Sequence, residues 1–227
     1  MVIVRENTED LYRGIEHKVN NDAAESIKII TREASERIVD FAFKLAEKEN
    51  RKKVTLTHKA NIMKLTDGLF LQSGRTISKK YPDIRFEDVI VDAMAMKLVM
   101  NPYDYEVIVA PNLYGDILSD LAAGLVGGLG MAPGANIGEG AAIFEPVHGS
   151  APDIAGLDKA NPIATILSAA MMLRYSLDQG SAAELIESAV KRVLEKGYRT
   201  VDIASQGDVI VGTSDMGRLI VNEIKKG

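Results

Sequence analysis

An α/β fold in two parts is predicted by three observations. Short apolar runs alternate with segments of helical periodicity through the first half, a glycine-rich stretch then interrupts them, and helical patterns dominate beyond it. VIV at Val2 to Val4 and SIKII at Ser26 to Ile30 read as strands. From Thr31 to Glu49 apolar residues recur at helical spacing, with Ile38, Phe41, Ala42 and Leu45 on one face. VTLTH at Val54 to His58 is the next strand, followed by a helix around Leu65 to Lys80 and a strand near Phe86 to Val91. A short helix from Ala93 to Met100, the strand Val107 to Val109 and a helix after Gly115 complete a βαβ order, which calls for parallel strands. GLVGGLGMAPGANIGEG, from Gly124 to Gly140, has a glycine density foreign to a core helix or strand, and a crossing between domains is placed at its start. The expected parts are 1–125 and 126–227. In the second, AIFE is a brief strand, and Asn161-Pro162 supplies an N-cap and a first-turn proline for a helix to about Leu177. Amphipathic helices follow near Ala182 to Lys196 and Asp215 to Lys225. The chain opens on what reads as an interior strand with nothing to cover it, so the start of a longer pattern is expected to be absent.

Composition narrows the function classes. The 227 residues are 46% hydrophobic and 26% charged with a net charge of −5, which describes a water-soluble globular chain without the basic footprint of a nucleic-acid binder. No cysteine is present, which excludes disulfides, thiolate catalysis and a cysteine zinc site. No apolar run has transmembrane length and MVIVRENTED lacks the parts of a signal peptide, so a cytoplasmic location without membrane partners is expected.

The chemistry-bearing residues gather where strands end. NLYGDILSD, from Asn112 to Asp120, puts Asp116 and Asp120 one helical turn apart on one face. Such a pair either complements a helix dipole or holds a divalent cation, since Mg²⁺ and Mn²⁺ take one or two carboxylates plus substrate oxygens and water. RENTEDLYRGIEH places Arg5 at the end of the first strand, suited to a carboxylate or to a surface ion pair, and Tyr12 just beyond it. HKANIMK places Lys59 after a strand, as a solvated lysine or a base. Asp92 in VDAMAM is either a helix cap or a third metal carboxylate. In EPVHGSAPDIAGLDKANP the loop around Gly149 offers backbone N–H groups to phosphates, and Asp153 offers a carboxylate to ribose hydroxyls, unless the loop is only a turn. Neither a G-x-G-x-x-G nor a Walker loop occurs.

Together RENTEDLYRGIEH, HKANIMKLTDGLF, VDAMAM, NLYGDILSD, GANIGEGAAIFEPVHGSAPDIAG and ANPIATILSAAMMLR resemble the β-decarboxylating dehydrogenases, the family of isocitrate, 3-isopropylmalate and homoisocitrate dehydrogenases. The resemblance runs in the family's order over nearly the whole chain and weakens after about Lys196. It implies the two-domain isocitrate/isopropylmalate dehydrogenase-like α/β fold with the first part of the large domain missing: 1–125 is the smaller, dimer-forming domain with metal and catalytic residues, and 126–227 is the C-terminal part of the larger, NAD-binding domain. It implies metal-dependent oxidation of a small 2-hydroxy acid by NAD, followed by loss of CO₂. Arg5 would grip a substrate carboxylate, Asp92, Asp116 and Asp120 would hold Mg²⁺ or Mn²⁺, Lys59 would take the hydroxyl proton, and Tyr12 would protonate the enolate carbon. Lys59 and Asp92 would come from the partner subunit of a homodimer or higher homo-oligomer. Glu145, His148, Gly149, Ser150, Ala151, Asp153, Ile154 and Asn161 would bind the dinucleotide, with Asp153 favouring NAD over NADP.

Met1 aligns inside the family pattern, which begins with a strand carrying a G-D-G-I-G turn and continues to further arginines and a substrate-reading loop. RENTED, HKANIM and DGLF resemble the isocitrate branch, while VDAMAM and FEPVHGSAPDIAG are equally at home among isopropylmalate enzymes. Isocitrate is therefore the expected substrate, with 3-isopropylmalate or homoisocitrate as the alternative and a noncatalytic subunit or inactive fragment of the same fold as a further one.

Overall fold

A computed structural model describes residues 1–226. The chain divides into two compact units, Met1–Ala122 and Ala123 onward. In order, the first unit holds β1 (Val2–Arg5), β2 (Glu16–Asn20), β3 (Ala23–Ser26), α1 (Arg32–Lys48), β4 (Lys53–His58), α2 (Thr66–Ile77), β5 (Arg85–Ile90), α3 (Val91–Met100), β6 (Val107–Ala110) and most of α4 (Asn112–Leu125). The second holds β7 (Pro133–Ile137), β8 (Ala142–Pro146), α5 (Ile163–Tyr175), α6 (Gly180–Glu195), β9 (Tyr198–Arg199), β10 (Val209–Ile210) and α7 (Thr213–Ile224).

The first unit is built on a parallel four-stranded sheet of order β1-β6-β4-β5. Alternation of side chains along β6 decides how its faces are covered. Val107 and Val109 join Val54, Leu56, Phe43 and Phe70 beneath α1 and α2, while Ile108 joins Met94, Leu98 and Leu118 on the face of α3 and α4. Each fully buried side chain of this kind stabilises the fold by about 1.5–3 kcal/mol relative to exposure. Thr31 caps α1 by accepting a hydrogen bond from the Ala34 N–H at 3.2 Å. Phe43 stacks on Tyr81 at 4.8 Å between ring centroids, and Tyr81 donates to Asp40 at 2.8 Å; burial and that carboxylate push the Tyr81 hydroxyl up to about 12.

In the second unit α5, α6 and α7 close around Ile163, Val193, Met216 and Ile220. Beside them lie an antiparallel β7–β8 hairpin and a two-residue parallel pairing of β9 with β10. No described helix is long and apolar enough to cross a membrane.

Several expectations need correction. The strand expected at Ser26 to Ile30 ends at Ser26; it is β3, paired with the unanticipated β2, and residues 27–30 leave the ladder with Lys28 turned inward. On α1 the deepest stripe is Ala34, Val39, Ala42, Phe43 and Ala46, with Ile38, Phe41 and Leu45 flanking it, so the buried face is rotated from the expected one. The glycine-rich stretch does contain a strand, β7. A Cβ on Gly134 would lie 2.9 Å from the Glu145 carbonyl oxygen, so glycine there permits close backbone approach. Among the described residues the opening strand lies at one edge of its sheet. Finally, α5 starts at Ile163 and stops at Tyr175; its N-cap is Pro162 and not Asn161, which lies one residue before the cap and accepts the Ile163 N–H on Oδ1 at 3.0 Å.

Glu223 ties α7 to α6: it lies 2.7 Å from Lys196 and 2.6 Å from Lys226, with Arg192 at 3.4 Å. These cations, Lys196 foremost, hold its carboxyl down at about 2 from an ordinary 4.5. A depressed carboxylate stabilises the fold above its unfolded value and loses that contribution as pH falls through its folded one. Glu223→Gln is therefore expected to lower the melting temperature at pH 7 and to converge with the parent chain as pH falls from 4.5 towards 2. Thermal melts across that range check it; an equal deficit at pH 2 would contradict the assignment.

Candidate active site

The carboxyl ends of the parallel strands carry the candidate residues, as open α/β sheets require of a ligand site. In the β1–β6 register Arg5 pairs with Ala110, one residue before the turn at Pro111 that starts α4. Arg5 Nε donates to Asn112 Oδ1 at 2.8 Å, and Nη1 reaches Asp116 Oδ1 at 2.5 Å. The guanidinium lies 4.9 Å from the centre of the Tyr12 ring. Tyr12 stands on a 3-10 turn, Asp10–Arg13, beside the Arg5–Asp116 pair. The Asp116 carboxylate first, as acceptor and as charge, and partial desolvation raise the Tyr12 hydroxyl above its ordinary 10.0. Asp120 is exposed one turn further along α4.

Lys59 follows β4 directly, and its Nζ meets Asp92 Oδ1 at 2.5 Å. Asp92 opens α3 with its side chain 68% exposed, and the hydrogen bond from Lys59 holds its carboxyl below the ordinary carboxylate range. The structure thus gathers the sequence-predicted residues into two sets, Arg5–Tyr12–Asp116 with Asp120 nearby on α4, and Lys59–Asp92. Among the described residues no three acidic or histidine side chains converge as a metal cage.

In the second unit the candidates span β8 and the loop after it. Glu145 accepts from Asn136 Nδ2 at 3.1 Å, and His148 Nδ1 lies 2.9 Å from the Gly149 carbonyl oxygen. Gly149, Ser150, Ala151 and Asp153 are exposed, and Ile154 is half-buried. Ala151 holds φ 43°, a left-handed backbone unusual for alanine that turns the chain into the short 3-10 turn Pro152–Ile154 carrying Asp153. Asn161 is buried and its amide is committed to the chain itself, donating to Asp202 Oδ2 at 3.1 Å.

Two residues at the site escape a reading by residue type. Asn112 both receives Arg5 and donates from Nδ2 to the Glu9 carbonyl oxygen at 3.1 Å, linking α4 to the segment that carries Tyr12. Gly115 lies within a helix, where glycine normally weakens structure. A Cβ there would stand 2.6 Å from Arg5 Cγ and 3.2 Å from Arg5 Cα. The glycine is what lets β1 bring Arg5 against the helix; its place inside NLYGD was the available signal.

A family model described as isocitrate/isopropylmalate dehydrogenase matches residues 1–220. The chain belongs to this family. It is 55% identical over 203 residues to a 3-isopropylmalate dehydrogenase of Archaeoglobus fulgidus, covering 89% of this chain and 62% of that one. It is 52% identical over 227 residues to a mitochondrial regulatory subunit of NAD isocitrate dehydrogenase from Dictyostelium discoideum, covering 99% of this chain and 64% of that one. The crystal structure of an isocitrate dehydrogenase from Methylococcus capsulatus superposes with a TM-score of 0.92 at 55% identity, over 98% of this chain and 66% of that one. The chain therefore spans less than two thirds of these relatives, and over that span its α/β fold is the isocitrate dehydrogenase one.

For this family member the test of a divalent cation is the donor set. Asp116 and Asp120 offer hard oxygens one turn apart, one 41% exposed in its side chain and the other exposed, which fits the one or two carboxylates Mg²⁺ takes from a protein. The exposed turn that carries Asp153 fits a ribose in the same way.

Gly115→Ala is expected to destabilise the fold by about 1–3 kcal/mol, against the usual gain from alanine in a helix, because the added methyl would overlap Arg5 Cγ and Cβ and press on its Cα. Urea denaturation measures it. A variant as stable as its parent would mean that β1 and α4 are not held this closely.

Proposed function

We propose that this chain catalyses the NAD-dependent, metal-dependent oxidative decarboxylation of a 2-hydroxy acid, isocitrate to 2-oxoglutarate first, as a homodimer with shared sites. The observation that carries the reading is the cluster of Arg5, Tyr12 and Asp116 at the carboxyl end of β1. When bound, Mg²⁺ or Mn²⁺ polarises the hydroxyl and steadies the enolate, and NAD accepts the hydride. Arg5 supplies a fork of N–H donors for a substrate carboxylate. Lys59 takes the hydroxyl proton at Nζ, which it can do once it is withdrawn from Asp92 and partly desolvated. Tyr12, held protonated, returns a proton to the enolate carbon. Asp116 and Asp120 would hold the cation together with Asp92 of a second copy. Support for the shared arrangement is that, among the described residues, Asp92 does not cluster with Asp116 and Asp120 within one chain, and that Met96, Val99 and Met100 along α3 are exposed apolar side chains that a partner would cover.

Glu145, His148 to Ala151, Asp153, Ile154 and Asn161 form the dinucleotide site in this reading, and the second unit is the NAD-binding part. A cytoplasmic location belongs to the proposal as well, although several relatives carry "mitochondrial" in their names. The 55% identity to a protein named 3-isopropylmalate dehydrogenase favours that acid as the second substrate to try. The relative named a regulatory subunit raises a noncatalytic role; retention of Tyr12, Lys59 and the three aspartates argues against it.

The experiment is NADH or NADPH formation by the 227-residue chain with Mn²⁺ and isocitrate, then 3-isopropylmalate. Asp153 repels the 2′-phosphate of NADP and accepts from the ribose hydroxyls of NAD. A kcat/KM preference for NAD of ~10²-fold or more is expected, falling in Asp153→Lys. Equal use of both cofactors would overturn the role of Asp153, and no turnover of either acid would overturn the catalytic reading.

A further inference from the structure

The interior of the first unit holds charges that neither binding nor chemistry uses. Asp10 and Asp67 are fully buried, and Lys28, 9% exposed in its side chain, lies between them: its Nζ is 2.7 Å from Asp67 Oδ1 and 3.6 Å from Asp10 Oδ1. The Tyr114 ring covers the ammonium at 4.4 Å, and burial first, then the Asp67 carboxylate, raise the Tyr114 hydroxyl above its ordinary value. Two carboxylates and one ammonium taken out of water gain little stability over apolar side chains of the same volume. What they do provide is direction, and the remaining oxygens are aimed at backbone.

Asp67 Oδ2 accepts the backbone N–H of Lys59 at 2.6 Å. Asp10 Oδ2 accepts the backbone N–H of Leu113, in the first turn of α4, at 3.1 Å. Asp10 Oδ1 accepts the N–H of Leu11, and the Asp10 N–H donates to the Ile29 carbonyl oxygen at 2.9 Å. Asp10 also has φ 74°, a left-handed conformation that few residues adopt, at the very residue that starts the turn bearing Tyr12. Strain of this kind persists only where the surroundings over-determine it, and it gathers at working sites. Each aspartate therefore has one oxygen on Lys28 and another on a backbone that leads, within a few residues, to a group of the proposed site.

We propose that Asp10, Lys28 and Asp67 form a buried ionic bridge that positions the segments carrying Tyr12, Lys59 and Asp116 relative to one another. It rests on the proposed function for its purpose but not for its existence. Lys28 is the joint and acts as a positioning residue: it touches no reacting group, and it couples the β4 end to the start of α4 through two carboxylates.

Backbone amide exchange in the whole chain tests the bridge without requiring turnover. In Lys28→Met, exchange at the Lys59 and Leu113 amides should rise at least about 10-fold while Leu56, in the middle of β4, stays unchanged, because local openings carry their own free energies. Lys28→Arg, which keeps the charge, should restore protection at both. If Lys28→Met does not fold, Asp67→Asn serves: it keeps an oxygen for the Lys59 N–H but loses the charge facing Lys28, so Leu113 on the far side should exchange faster. Unchanged exchange at Leu113 in either variant, an equal rise at Leu56, or no rescue by Lys28→Arg would overturn the proposal. A parent chain that turns over neither acid counts against the function, and unaltered exchange counts against the bridge, so the two failures are separate.

Discussion

The candidate site depends on one pairing, the parallel contact of β1 with β6. Its register sets Arg5 opposite Ala110, so the side chain emerges where α4 begins. Side chains alternate along a strand, and Ile3, two residues earlier, packs with the α3 and α4 core while Val4 packs under α1. Arg5 inherits the direction of Ile3 and meets Asn112 and Asp116. A slip of one residue would turn it to the opposite face. Gly115 then permits the approach, and Tyr12 closes over the guanidinium.

A single chain leaves its acids divided. Asp116 neutralises Arg5 and Asp120 is free to solvent on the same helix, whereas Asp92 neutralises Lys59 at the end of a different strand. Both close pairs join a cation that would bind or deprotonate substrate to an acid that would hold metal. Each is half-exposed and open to rearrangement, in contrast with the buried Asp10–Lys28–Asp67 cluster beneath them. The molecule therefore combines a rigid ionic interior with a rim of exchangeable ion pairs, an arrangement suited to fixing backbone while freeing side chains for ligands.

Much of this was legible in the sequence because the parallel strands are short apolar runs ending in polar motifs: Val54 to His58 and Val107 to Val109 announce both their sheet and the residues that follow. The motif residues Asn112 and Gly115 were visible, but their roles needed the distance to Arg5. The β2–β3 hairpin was not legible: EHKVN and AAES are exposed throughout and lack apolar alternation, while the isoleucines of SIKII suggested a strand that in fact ends at Ser26. β7 was hidden by its glycine, which serves close approach to Glu145 and not flexibility. The exposed turn around Asp153 gives no periodic signal, so its role rests on motif resemblance alone.

The claim that the site is completed by a second copy is tested most directly by mixing two inactive variants. Tyr12→Phe and Lys59→Met each remove a different contributor; if Lys59 serves the partner's site, a heterodimer keeps one site with both groups intact. Unfolding and refolding an equimolar mixture should restore about a quarter of the parent activity, half of the dimers each regaining one of two sites. A mixture no more active than the separate variants would contradict the shared site.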